Sequence, residues 1–171
     1  MHMLSTILTV LLALCLTPLN ASLLPVAADV APSRPIPGRS PFSQCRILEP
    51  QALSIERVDF EPGTPRTGRN LTITASGILS EPITNGSYVK IEVKLGYIKL
   101  LTDTFDLCEL LADNVKDLAC PIVEGYYDLV KTIRIPPEVP PGRYTVSAKA
   151  YTVDNNLITC IKGNLIIAPS F

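Results

Sequence analysis

The side chains best equipped for chemistry in this chain are its cysteines. Cys45, Cys108, Cys120 and Cys160 lie beyond the apolar N-terminal stretch, Cys15 lies inside it, and the sole histidine is His2. A thiolate can act as nucleophile, redox centre or metal ligand, and each use has its own spacing. No Cys-x-x-Cys is present, and no histidine accompanies the later cysteines, so redox and zinc readings fail. An even cysteine count behind an export signal points to two structural disulfides. Pairing Cys108 with Cys120 would pin an eleven-residue loop, and pairing Cys45 with Cys160 would tie the two ends of the domain together. In the chain-entropy view such links stabilise by about 3 and about 5 kcal/mol. Four cysteines allow three connectivities, and spacing does not choose among them. An immunoglobulin-type Cys45–Cys108 bridge would span 62 residues, but the tryptophan that packs on such a bridge is missing.

A second constellation is acidic. Between Thr102 and Cys120 stand Asp103, Asp106, Glu109, Asp113 and Asp117 against one base, Lys116. A calcium loop needs regularly spaced ligands around a glycine, which this stretch lacks, so a solvated segment is expected. If it borders a cavity mouth, it should resist anionic membranes and relax as its carboxylates protonate. No Gly-x-Ser-x-Gly, phosphate loop or dinucleotide fingerprint occurs. Without an imidazole the usual general base is gone too. The reading is no enzyme, no metal and no cofactor.

These residues need elements to hold them, and the dominant pattern has period two. Leu71, Ile73 and Ala75 alternate with polar residues, as do Val89, Ile91, Val93 and Leu95, then Ile133 and Ile135, then Tyr144, Val146, Ala148 and Ala150. Each predicts a strand with one dry face. Weaker candidates are Ile55 to Phe60, Thr102 to Leu107, Tyr126 to Val130 and Leu157 to Ile167. Pro62-Gly63, Asn85-Gly86, Pro141-Gly142 and Asn155-Asn156 supply turns. Helical spacing is confined to a short stretch around Leu110 to Val115. About seven short strands with frequent turns predict an all-β fold, an antiparallel sandwich whose dry faces meet. Alternation does not distinguish a filled sandwich, suited to adhesion or protein recognition, from a hollow one.

Ile7 to Leu16 is an apolar run broken by Pro18 and followed by small residues at Ala21-Ser22 and Val26-Ala27-Ala28. It reads as a signal peptide over residues 1–21, with cleavage as late as 28. Residues 22–41 are a Pro-rich leader or propeptide, clipped near Arg39, that is expected to bury too little to order itself. Residues 42–171 form the domain. The sequons Asn70-Leu71-Thr72 and Asn85-Gly86-Ser87 fit a glycosylated product of the secretory pathway. A net charge of −1 offers no basic footprint for nucleic acid.

The run Val139-Pro140-Pro141-Gly142-Arg143-Tyr144, then Ala148 to Asp154 and Ile158-Thr159-Cys160, resembles the ML lipid-recognition domain family. Cys120-Pro121-Ile122 followed by Gly125-Tyr126-Tyr127 resembles that family's Cys-Pro-Ile block. The likeness covers roughly residues 42–168. It is strongest to the fungal phosphatidylglycerol/phosphatidylinositol transfer proteins and more distant to the soluble Niemann–Pick type C sterol carrier. The resemblance implies an immunoglobulin-like sandwich with an apolar cavity between its sheets, and the nested disulfides Cys45–Cys160 and Cys108–Cys120. It places Pro121, Ile122, Tyr126 and Tyr127 near the cavity mouth, and matches Phe105, a further lipid-binding candidate, to the apolar end of the strand leading to the cysteine loop. With the alternation, it puts Ile73, Val89, Ile91, Val93, Ile133, Val146 and Ala148 on the lining. The extra cysteine pair of animal members is absent, so Gln51 to Gly63 is expected to be freer. The implied function is a monomeric carrier of the vacuole or lysosome lumen, or a secreted one. It would take a sterol or phospholipid and touch membranes transiently, or hand its cargo to a membrane sterol-transport protein.

Overall fold

Alternation becomes two facing sheets in the computed structural model, which describes residues 33–45, 49–115 and 118–170. The expected signal peptide, Lys116 and Asp117 lie outside the described residues. The strands are β1 (Arg34–Pro35), β2 (Phe42–Gln44), β3 (Leu53–Glu61), β4 (Asn70–Leu79), β5 (Tyr88–Leu95) and β6 (Ile98–Asp106). Among the described residues one helix, α1 (Leu107–Asn114), precedes β7 (Gly125–Arg134), β8 (Gly142–Tyr151) and β9 (Leu157–Ile167). Six strands form one sheet in the order β1-β2-β9-β8-β5-β6, and three form the other in the order β3-β4-β7. Neighbouring strands run antiparallel throughout. The two expected pieces around Tyr126 and Ile133 are one strand, because Lys131 and Thr132 continue the ladder opposite Ile73 and Thr72. β3 looked weak because its alternation is broken: a bulge between Ile55 and Arg57 shifts the inward set from Leu53 and Ile55 to Val58 and Phe60.

Local chemistry explains the ends of these elements. Asp106 caps α1, its Oδ1 accepting from the Glu109 amide at 2.9 Å. Asn155 adopts φ 65° in the β8–β9 turn, where its side chain accepts from Tyr88 Oη at 2.7 Å. Both disulfides are the nested pair, Cys45–Cys160 and Cys108–Cys120.

The Pro-Pro-Gly-Arg-Tyr run turns into β8 as a tyrosine corner. Tyr144 is buried, and its hydroxyl donates to the Pro140 carbonyl at 2.7 Å. Tyr144→Phe is expected to cost about 1 kcal/mol. Burial holds this phenol above its ordinary pKa of 10.0. The native state therefore binds the proton more tightly than the unfolded chain. Its contribution is complete below about pH 10 and declines as the pH rises beyond it. Urea titrations at neutral and alkaline pH check both effects, because the phenylalanine variant should lose part of the alkaline decline.

Two expectations need correction. Residues 34–41 are not structureless. Ile36 is 5% exposed, its amide donates to Phe42 O, Val58 N donates to Pro37 O at 2.9 Å, and Phe60 N donates to Arg39 O at 3.3 Å. Gly38 sits at φ 113°, and a β-carbon there would lie 2.2 Å from Val58 O, so only glycine fits. The Arg39 backbone amide also donates a hydrogen bond to Asp59 Oδ1 at 2.9 Å, and its guanidinium contacts Glu61 at 3.1 Å. The Asp59 carboxyl is held below its ordinary range first by hydrogen bonding from Arg57, then by the Arg39 amide. This strap has no period of its own. It borrows ladder partners from β3 and, through β2, from β9, which is why composition missed it.

Nor is Gln51 to Gly63 free. β3 pairs along its length with β4. Just before it, Gln51 Oε1 accepts from Cys160 N at 3.0 Å, Thr159 Oγ1 at 3.2 Å and Gln44 Nε2 at 3.0 Å, while Gln51 Nε2 donates to Cys45 O at 2.9 Å. One amide side chain fastens the segment that the missing cysteines leave unstapled.

Candidate functional site

The sandwich holds two buried clusters with a hollow between the sheets that reaches the second of them. At the α1 end, Leu79, Ile83, Val89, Leu107, Cys108, Ile122 and Ile158 pack into one buried cluster. At the far end Phe60, Leu71 and Ile135 form a second. Between them the inward residues Ile55, Ile73, Ala75, Leu129 and Ile161 are only half-buried. They border a cavity of ≈ 440 Å³. β3 contributes Leu53, Ile55, Val58 and Phe60; β4 contributes Leu71, Ile73, Ala75, Ser76 and Gly77; β7 contributes Tyr127, Leu129 and Ile133. Across from them stand Ile161 and Leu165 of β9, with Phe42 and Ile36 from β2 and the strap. None of these side chains is charged, and the Tyr127 hydroxyl is turned away to donate to Val123 O at 2.6 Å.

Of the residues expected on the lining or mouth, Ile73, Tyr127 and Ile133 border this cavity. Val89 and Ile122 are buried in the α1-end cluster, and Ile91, Phe105 and Ala148 pack against it, as Tyr127 also does. There Leu107 and Cys108 of α1 and Ile122 beyond the Cys108–Cys120 loop join residues of both sheets in one buried cluster, leaving packed side chains where alternation alone suggested lining. Val93 and Val146 pair with each other across β5 and β8, outside this lining. Pro121 and Tyr126 are exposed, Tyr126 by 61%. Leu71 and Ala75 share the run of Ile73 and were within reach of the same reasoning. The β3 residues were hidden by the bulge, and Ile36 carried no periodic signal.

The two long sides of the sandwich differ. On one, the strap bridges the sheets by bonding to β3 while β2 pairs with β9. On the other, β6 and β7 are outer strands of different sheets and are not paired. On and before these two strands apolar groups are exposed: Tyr97, Ile98, Leu100 and Leu101 for β6, and Val123, Tyr126 and Val130 for β7. Of the acidic stretch, Asp103 and Asp106 belong to β6, and Glu109 and Asp113 to α1. Asn70 and Asn85 are exposed. Such a site can shelter an apolar body and offers it no reactive group.

The family model described as the ML domain matches residues 39–167. A phosphatidylglycerol/phosphatidylinositol transfer protein of Eremothecium gossypii is 51% identical over 137 residues, covering 80% of this chain. This chain spans only 64% of that relative's length. A protein of the same name from Kluyveromyces lactis is 49% identical over 149 residues, covering 85% of this chain and 86% of the relative. Among solved structures, a Niemann-Pick type C2 protein from Japanese carpenter ant superposes with TM-score 0.56 at 13% identity, covering 74% of this chain and 98% of that one. At that identity it shows a shared fold.

Proposed function

The chain belongs to the ML-domain family, and on that premise we propose that it is a lipid carrier that lifts a phospholipid from one membrane and delivers it to another. The observation that carries this reading is the uncharged cavity of ≈ 440 Å³ between the two sheets. Its size falls within the roughly 300–1,000 Å³ of small-molecule pockets. Burying lipid tails there gains about 25 cal/mol per Å² removed from water. A bilayer is equally apolar, so transfer needs an opening that meets the membrane without exposing the tails. The apolar groups along β6 and β7 suit that contact. No bond is made or broken. The names of the relatives favour phospholipid over sterol, and a sterol is the competing cargo. The chain works in the secretory pathway, in a vacuolar or lysosomal lumen or outside the cell, with Asn70 and Asn85 as glycan acceptors. A mobility shift on endoglycosidase treatment checks the glycans.

Solvent extraction of the folded, purified protein followed by mass spectrometry tests the carrier reading. About one phospholipid per chain is expected. A chain that holds no lipid and takes none from vesicles would instead be a filled recognition module.

A further inference from the structure

On the inward side of β7, Tyr127, Leu129 and Ile133 line the cavity, and the residue completing that row is Lys131. Strand period places it on their face. Its partner across the ladder is Ile73, itself a lining residue, and directly opposed residues project to the same side. Burial agrees: Lys131 is half-buried, whereas Val130 and Thr132 on the outer face are exposed. A cation in an apolar row is costly unless its head finds water or a partner. Among the described residues Lys131 forms no ion pair. Across the gap, Asp103 is on β6 opposite Ile91, and its Oδ1 accepts from the Thr104 amide at 2.7 Å.

We propose that Lys131 selects the cargo: its stem lies along the inner face, and its ammonium stands at the unpaired β7 edge to bind the phosphodiester of an anionic phospholipid whose tails fill the cavity. The inference rests on the carrier reading above and adds to it the residue that tells a phospholipid from a sterol. A long side chain can bury its carbons and keep its charge at a rim. A phosphate there gains a charge-assisted hydrogen bond, and a sterol hydroxyl gains much less. The rival account is that an inward charge on an edge strand only blocks pairing with another sheet.

The test uses the full disulfide-bonded protein and neutral phosphatidylcholine donor vesicles carrying either a fluorescent phosphatidylglycerol or a fluorescent sterol. Lys131→Met, which keeps the stem, should weaken phosphatidylglycerol uptake about tenfold and change sterol uptake by less than about twofold, while Lys131→Arg keeps both. Equal losses for the two lipids, or unchanged phosphatidylglycerol uptake, overturn the assignment. So does a Met variant that self-associates on gel filtration while retaining phosphatidylglycerol affinity, since Lys131 is then an edge guard. Wild-type protein that takes sterol alone overturns it together with the phospholipid cargo, and leaves a lipid carrier whose cargo is the competing sterol. Wild-type protein that takes neither lipid removes both.

Discussion

Ala75→Phe is expected to lower lipid affinity by at least about tenfold without unfolding the domain. Ala75 lies mid-strand in β4, opposite Val58 on one side and Leu129 on the other, and all three border the cavity. A benzyl group at this point would project into the space the proposed tails use. In a packed core such a change forces strain, whereas here it fills a void, so thermal stability should hold or rise slightly. Val146→Phe is the matched control, because Val146 stands on β8 outside this lining. Equilibrium uptake of a fluorescent phospholipid and thermal melts of both variants check the expectation. Unchanged uptake by a folded Ala75→Phe protein would show that the lipid sits elsewhere.

Gln51→Leu is expected to destabilise the fold by about 3 kcal/mol or more, since each buried polar group left unpaired costs about 1–3 kcal/mol. The substitution keeps the side chain's bulk and removes four hydrogen bonds. Cys160 N, Thr159 Oγ1 and Gln44 Nε2 lose an acceptor, and Cys45 O loses a donor. Gln44 keeps its bond to Leu53 O at 3.0 Å, and Cys45 N keeps its bond to Cys160 O at 2.8 Å, so the site is weakened without being emptied. Urea unfolding with the disulfides intact checks this, with a lower midpoint at an unchanged slope expected. A loss below about 1 kcal/mol would mean that water replaces the amide and that the Cys45–Cys160 bond alone holds the region.

Neither Ala75 nor Gln51 was among the residues expected to matter for the site, and the reasons differ. Ala75 was visible as the inward member of an alternating run, but alternation says which face a residue shares and nothing about how far away the opposing sheet stands. Gln51 had no visible signal at all. A glutamine before a strand is ordinary, and its importance comes from β9, more than a hundred residues later, delivering the Cys160 amide to it. Ile36 shares the composition of its proline-rich neighbours and carries no period, because the strap that holds it is ordered by β3 and, through β2, by β9, which is remote in the chain.

Much was nevertheless legible locally. The period-two runs became β4, β5, β7 and β8, Asn155-Asn156 became the last hairpin turn, and the Pro-Pro-Gly-Arg-Tyr run became the corner that locks Tyr144. The cysteines that opened the reading limited it to a stapled shell with no imidazole chemistry. By itself, then, the sequence determined a disulfide-held antiparallel sandwich and which residues of its regular runs share a face, because side-chain period, turn residues and cysteine count are local properties. Tertiary structure alone decided where that sandwich is hollow. Leu107 and Cys108 of α1 pack with residues of both sheets in one cluster, Phe60, Leu71 and Ile135 form another, and the hollow between the sheets depends on contacts that no stretch of sequence contains.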